Sequence, residues 1–373
     1  MKVAVNCWIL RKKEVDGIGN FIIETLRPLI SDHPEIEFML LCDKNFKENY
    51  FDFPNVTKHY IFPALRHPVL YVVYMELILG MFLRRNKPDL FLGMDGFLCL
   101  NSSVKQLPVI YDLNFEHYPK DLPFRNSFYY RTFFKRFAKK AGRIATISEY
   151  SKQDIVNFYD INPAIIDNVS CGVKEVFQPL DEHTKIAVRD KYSNGENYFF
   201  FVGSMHPRKN ILRLLQAFEL FKQGDSNSHK LILAGNILWD DTDIKAVLDG
   251  MQYKNDVTFP GRVSDGELKL LLGSAQILTF VPIFEGFGLP IVEAFQAGVP
   301  VICSNVTSMP EVAGNAALQV DPFNIQEIAD AMRTLSLNEI IREDLITKGF
   351  NQKNKFTWQH TAALLYESMK LLF

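Results

Sequence analysis

The chain has 373 residues, of which 47% are apolar and 23% charged, with a formal net charge of −2. That length and apolar content allow about two domains with full cores and argue against disorder. A near-neutral balance excludes nucleic acid as the main partner, because neutralising phosphates needs a basic surface.

In chain order, KVAVNCWI (2–9) reads as a first strand and not as a secretion signal. DGIGNF (16–21) follows it and opens a helix, IGNFIIETLRPLI (18–30). EFMLLCD (37–43) is the next strand. The apolar stretch VLYVVYMELILGMFLRR (69–85) carries Glu76 and is too short and too charged to span a bilayer, which takes about 20 apolar residues. It reads as a buried helix, or as an interfacial helix with Arg84 and Arg85 at the lipid headgroups. DLFLGM (89–94), PVIYDL (108–113) and RIATIS (143–148) are strands, separated by the helix FYYRTFFKRFAKKA (128–141). The basic run RFAKKAGR (136–143) reads as a solvated helix face. SEYSKQDIVNFY (148–159) is a helix with a serine N-cap.

Beyond Val173 the texture becomes polar, and 176–198, with its proline and Asn-Gly turn, reads as a crossover between domains. The alternation then restarts with strands at 198–204, 230–235, 257–261, 277–281 and 299–304. Helices are expected at 211–223, 264–275 and 325–335, with a last one from about Trp358. Strands alternating with helices imply parallel α/β sheets. The expected architecture is two Rossmann-like domains facing a central cleft, 1–175 and 176–356, with the C-terminal helix 357–373 joined to the first. Five scattered cysteines without a CxxC pair read as reduced apolar residues of a cytosolic protein.

In open parallel sheets ligands sit beyond the carboxyl ends of strands, where loops feed helix N-termini. VGSMHPRKNILRLLQAF (202–218) is such a place: Gly203 ends a strand, Arg208 and Lys209 stand in the loop, and Asn210 is expected to cap the helix from Ile211. Two cations beside a helix N-terminus oppose its dipole, so they make sense if a phosphate lies between them and the backbone amides. The plainer reading is a solvated basic loop. FEGFGLPIVEAFQAGVPVI (284–302) is the second. Gly286, Phe287 and Gly288 form an open turn, Pro290 suits a first helical turn, and Gly298 a stop, giving a short helix of about 289–297. Glu285 and Glu293 are both expected at its mouth, where a pyrophosphate would take the amides and each carboxylate would accept from hydroxyls. Glu293 alone is equally a favourable helical glutamate. The Gly17 and Gly19 pair is either a tight turn or a second approach to phosphate or acceptor. Tyr111 and Asp112 end a strand, with Glu116 and His117 after them; a lone histidine there is more often structural. HExxH, CxxC, P-loop and GxSxG patterns are absent, and no DxD-type acidic pair stands out as a metal-diphosphate site.

Together these stretches resemble retaining, nucleotide-sugar-dependent glycosyltransferases of family 4, with the GT-B fold. The resemblance spans nearly the whole chain and is strongest in VGSMHPRKN, KLILAG, VTFPGRVSDGELKLLLGSA and EGFGLPIVEAFQAGVPVICSN; GIGNF, IYDLNFEHYP, ATISEYSKQDI, SCGVKEVFQP and FTWQHTAALLYESM follow it more loosely. It implies that Arg208 and Lys209 hold the nucleotide diphosphate. Gly203, Glu285, Gly286, Phe287, Gly288 and Leu289 would line the donor sugar and phosphate, and Glu293 the ribose. Gly17 and Gly19 match the first-domain glycine loop, and Asp112 an aspartate that many relatives precede with histidine, here Tyr111. A histidine role would then fall to Tyr111 or His117, or to neither. The activity implied is metal-independent and cofactor-free transfer of a hexose-type sugar to a glycan or lipid-linked acceptor, in cell-surface polysaccharide or lipopolysaccharide synthesis. It would be cytoplasmic, with peripheral contact at the inner membrane; the oligomeric state is not readable. Arg208, Lys209 and Glu285, with Asp112, are the catalytic candidates. The competing readings are a sugar-nucleotide epimerase or a phosphorylase of the same fold, and a non-catalytic sugar-nucleotide-binding subunit.

Overall fold

The computed structural model describes the chain except residues 12–14, 16, 47–49, 61–72, 225–227 and 237–241. Two units are distinguished by their internal packing, Met1–Gly172 with Thr357–Phe373, and Val173–Phe356. The division falls between Gly172 and Val173, where the sequence suggests a boundary after residue 175.

In the first unit the described strands are β1 (Lys2–Asn6), β2 (Glu37–Cys42), β3 (Val56–Tyr60), β4 (Leu90–Gly93), β5 (Lys105–Ile110), β6 (Ile144–Thr146) and β7 (Ile166–Asn168). All pairings are parallel, in the order β3-β2-β1-β4-β5-β6-β7. The central strands are buried on both faces, which is why they read as continuous aliphatic runs. The helices are α1 (Gly17–Asp32), a π-helical turn Tyr74–Leu79 running into α2 (Gly80–Asn86), α3 (Asn114–His117), α4 (Phe124–Lys140) and α5 (Glu149–Tyr159). One core cluster joins Ala4, Met39, Phe91, Ile110 and Ile144 to Tyr74, Leu83, Phe134, Phe137 and Ile155, so α2, α4 and α5 cover the same sheet face.

The second unit contains α6 (Glu182–Ser193), β8 (Tyr198–Val202), α7 (Ile211–Gly224), β9 (Lys230–Ala234), α8 (Thr242–Gly250), β10 (Val257–Gly261), α9 (Asp265–Ser274) and β11 (Ile277–Phe280). It continues with α10 (Leu289–Ala297), β12 (Val301–Ser304), α11 (Met309–Ala313), β13 (Ala317–Val320), α12 (Ile325–Leu337) and α13 (Glu339–Gln352). Its sheet runs β10-β9-β8-β11-β12-β13, also parallel. The last helix, α14 (Trp358–Lys370), belongs to the first unit. It packs on α1 through a His33–Tyr366 stack at 3.6 Å and an edge-on Phe21–Trp358 contact at 5.8 Å. Ser368 Oγ donates to Asp167 at 2.6 Å.

Two expectations change. The 176–198 crossover contains a helix: Asp181 caps α6 by accepting from Thr184 N at 2.9 Å, and its buried stripe is too thin for the apolar period to register. The 69–85 segment is helical with one wall inward (Tyr74, Met75, Leu79, Leu83) and the other exposed, while 69–72 lie outside the described residues. The serine cap on α5 is present, Ser148 Oγ accepting from Ser151 N at 3.0 Å.

Candidate active site

Both sheets have the doubly wound order in which neighbouring central strands send their helices in opposite directions. In the second unit that switch point lies between β8 and β11, the usual ligand position in such sheets. The chain leaves β8 through Gly203 at φ 149°. A side chain on the neighbouring Gly235 would put its Cβ 1.8 Å from Gly203 O, so two glycines let the β8 and β9 exits lie against each other. A 3-10 turn, Pro207–Lys209, then presents Arg208 and Lys209. Asn210 is not the side-chain cap expected. It is left-handed at φ 65°, and its amide donates to Val281 O at 3.0 Å and Pro322 O at 2.7 Å, tying the start of α7 to the exit of β11.

The loop after β11 meets this turn. Ile283 N donates to Arg208 O at 2.8 Å, and Arg208 Nη1 to Phe284 O at 3.1 Å. Arg208 Nη1 and Lys209 Nζ both engage Glu285 Oε1, and Lys209 Nζ lies 4.9 Å over the Phe280 ring. Burial alone would raise the Glu285 carboxyl, but Arg208 and then Lys209 outweigh it and hold it below the usual carboxylate range. One ionised carboxylate thus balances two cations, and the trio keeps a single excess positive charge.

α10 begins as expected at Leu289, after Gly288 at φ 105°, where an added Cβ would meet Met309 Cε at 2.7 Å, and it ends at the left-handed Gly298. Ser308, fully buried, was not apparent from sequence. Its hydroxyl contacts Glu285 O at 2.9 Å and Phe287 O at 3.0 Å, and so fixes the Glu-Gly-Phe turn from the β12 side. Only its position six residues before Gly314 in a second strand-to-helix loop hinted at it.

Glu293 differs from expectation. It lies beyond the first turn of α10, and its charged neighbours are Lys174 and Asp265, which pair at 2.9 Å, rather than Arg208 and Lys209. Glu293 is the fifth residue of a helix that starts, as expected, at Leu289, so it stands one turn in from the mouth. The residue is half-buried, and burial pushes its carboxyl up to about 7, with Lys174 opposing and Asp265 adding to the rise. Among the described residues no group donates a hydrogen bond to that carboxyl.

In the first unit the switch point lies between β1 and β4. Gly17 opens α1 in an exposed position and Gly19 is buried in its first turn; Asp16 lies outside the described residues. Asn6 Nδ2 donates to both oxygens of Asp95 at 2.9 Å, and burial pushes the Asp95 carboxyl up to about 7 against its hydrogen bonds from Phe97 N and Asn6. This pair was missed, since neither residue stands in a motif. Tyr111 Oη donates to Met94 O at 2.7 Å and its ring meets Phe21 edge-on at 5.1 Å. Asp112 Oδ1 accepts from Asn114 N at 3.0 Å at the start of α3. His117 Nε2 lies 2.7 Å from Asp154 Oδ2, with its ring edge-on to Phe158 at 4.9 Å. Of the candidates, the structure therefore draws Arg208, Lys209, Glu285 and the Gly286–Leu289 turn together, and leaves Glu293 one turn away.

Residues 182–352 match the family model for glycosyl transferases group 1, a stretch that fills most of the second unit. That unit is a glycosyl transferases group 1 domain, and the fold of the chain is GT-B. Over 230 residues, 61% of the chain, it is 31% identical to O-antigen chain mannosyltransferase B of Escherichia coli. Over 264 residues, 70% of the chain, it is 28% identical to the serotype-specific mannosyltransferase WbdA of the same organism. The matches span 60% and 32% of those relatives' lengths. Among solved structures, sucrose-phosphate synthase from Thermosynechococcus elongatus is similar at TM-score 0.78 and 16% identity, covering 100% of this chain and 99% of that one. Anabaena HepE in complex with UDP is similar at 0.77 and 14%, with 100% of both chains covered.

Proposed function

We propose that the protein is a retaining glycosyltransferase that moves a hexose, with mannose the first candidate, from a nucleotide diphosphate sugar to a glycan or lipid-linked acceptor in cell-surface polysaccharide synthesis. The observation that carries this reading is the convergence of Arg208 and Lys209 on Glu285 beside the N-terminus of α10. The excess positive charge there suits a diphosphate, and the helix N-terminus adds a favourable dipole. As the bond between the sugar and its phosphate oxygen breaks, negative charge grows on the diphosphate. Arg208 and Lys209 are already oriented to meet it, so the barrier falls without reorganisation. The bond that forms joins the acceptor oxygen to the sugar, and the acceptor's proton passes to the departing diphosphate. Tyr111 and His117 are engaged with Met94 and Asp154, so this reading asks neither to act as base. The two cations supply the charge a metal would, and we take the reaction to be metal-independent and cofactor-free. Glu285, freed from the cations by the phosphates, turns to the sugar, and Glu293 to the ribose hydroxyls.

The relatives named for mannose transfer and the UDP-bound neighbour support a nucleotide-sugar donor. A lipid-linked acceptor goes with a station at the cytoplasmic face of the inner membrane; no described helix is long and apolar enough to cross a membrane. The test incubates the chain with GDP-, UDP- and ADP-linked sugars and follows melting temperature and slow donor hydrolysis. One nucleotide class should stabilise the protein and be hydrolysed, and Arg208→Ala should lose both. Melting that stays the same with every sugar nucleotide overturns the reading.

A further inference from the structure

The loop from β12 into α11, Ser304 to Ser308, carries two features that its fold does not require. The first is backbone strain. Left-handed backbone suits glycine and asparagine and is costly for a branched side chain, whose Cβ crowds the carbonyl that follows. Of the left-handed residues other than glycine that the structure describes, Lys87, Asp160 and Asn194 end helices, and Thr307, at φ 57°, is the β-branched one. The second feature is an idle hydroxyl. Ser308 Oγ holds two carbonyls, whereas Thr307 Oγ1 and Ser304 Oγ are buried and hydrogen-bonded to nothing among the described residues. A buried hydroxyl left without a partner costs free energy, as the left-handed turn does, and such costs collect where a ligand is met. The loop is also well placed. Ser308 touches the carbonyls of Glu285 and Phe287, and Met309 packs on Gly288, so Thr307 stands one residue from the turn that opens α10. Ser304 is wholly buried, but Thr307 is half-buried: its oxygen is covered while other atoms of the residue are not. A turn about χ1 exchanges that hydroxyl with the methyl group.

We propose that Thr307 is a donor-sugar contact: its hydroxyl turns outward to hydrogen-bond a hydroxyl of the hexose held over the Glu285–Gly288 turn, and the left-handed backbone keeps it poised there. This role rests on the sugar-nucleotide reading and adds to it a residue that acts on the sugar and leaves the nucleotide alone. A threonine kept for the fold would give the opposite signature, since removing its hydroxyl would weaken the fold and spare the ligand.

The test measures melting and calorimetric binding for the full chain and for T307V, T307S and T307G, with GDP-mannose against GDP and UDP-glucose against UDP. T307V keeps the shape and loses only the hydroxyl, so it should melt no lower than the parent. It should bind the sugar nucleotide about five- to tenfold more weakly, the size of one hydrogen bond, and the nucleoside diphosphate within about twofold of the parent. T307S keeps the hydroxyl and should keep the affinity. T307G relieves the left-handed strain, so it should melt about 2–4 °C higher and lose sugar affinity as T307V does. A T307V that melts lower with both affinities intact reveals a hydroxyl satisfied within the fold and overturns the assignment. Equal weakening of sugar nucleotide and nucleoside diphosphate overturns it too, because Thr307 would then support the phosphate site. If the parent binds GDP or UDP and T307V matches it with every ligand, Thr307 falls and the nucleotide site stands. If the parent binds neither nucleotide nor sugar nucleotide, the functional reading falls and takes this role with it.

Discussion

At the ends of β8 and β11 the chain gathers Arg208, Lys209 and Glu285, one carboxylate shared by two cations. At the matching ends of β1 and β4 it gathers Asn6, Asp95 and Tyr111, an amide donating to a carboxyl whose affinity for protons burial has raised, and a hydroxyl closed on Met94 O. The two sheets share a strand order, so topology alone does not make an anion site. The charges placed at the crossing decide it, and among the described residues the positive surplus lies at the second unit's crossing.

The sharpest way to break that contrast is Glu285→Gln. It unloads both cations, so nucleoside diphosphate binding should tighten while sugar transfer falls about 10²–10³-fold, the usual cost of losing a group that acts on the transition state. Kinetics and calorimetry on the same preparation separate the two effects; if binding and turnover fall together, Glu285 serves only to hold Arg208 and Lys209. Next in size is Gly288→Ala. The left-handed φ of 105° and the Met309 contact at 2.7 Å should lower stability by about 1–3 kcal/mol and lower donor affinity with it. A melt and a donor titration check both.

Glu293 offers a pH signature. Its folded carboxyl is raised to about 7. The stability it contributes is therefore present in full below its ordinary value near 4.5 and is lost as pH rises to about 7. Glu293→Gln should melt higher than the parent at pH 8, on the order of 1–2 kcal/mol after solvent screening, and no higher at pH 4. If the ionised carboxylate accepts from ribose hydroxyls, nucleotide binding by the parent strengthens as pH climbs through about 7, and the variant's stays flat. Equal slopes would remove Glu293 from the site. The smallest effects come from a matched pair, Ser308→Ala and Tyr111→Phe. Each loses buried hydrogen bonding worth about 1 kcal/mol per bond, but only the first should raise the donor KM, since Ser308 holds the Glu285–Phe287 carbonyls.

The fold was legible because parallel sheets write their strands as aliphatic runs between amphipathic helices. What escaped lay at the edges: β3, Val56–Tyr60, exposes polar residues and breaks the apolar alternation, and β7, Ile166–Asn168, is only three residues long. α6 hid because few of its residues are buried. At the site, the glycine turn, the start of α10 and the Arg208–Lys209 loop could be read from residue type and spacing. Ser308, Lys174 and Asp265 could not, because they reach Glu285 or Glu293 through other strands' loops. Asn210 misled for a related reason: an asparagine before a helix is ordinarily its cap, and here long-range carbonyls at Val281 and Pro322 claim the side chain instead.

The central claim is that the positive surplus at the β8–β11 crossing binds a diphosphate. Calorimetric titration of GDP, UDP and ADP into the parent and into Arg208→Gln tests it most directly. One nucleotide should bind at a single site with an affinity that falls with salt, weaken at least about tenfold in Arg208→Gln, and bind Tyr111→Phe as it binds the parent. Binding that is indifferent to Arg208 and to salt, or that is lost in Tyr111→Phe instead, would contradict the account.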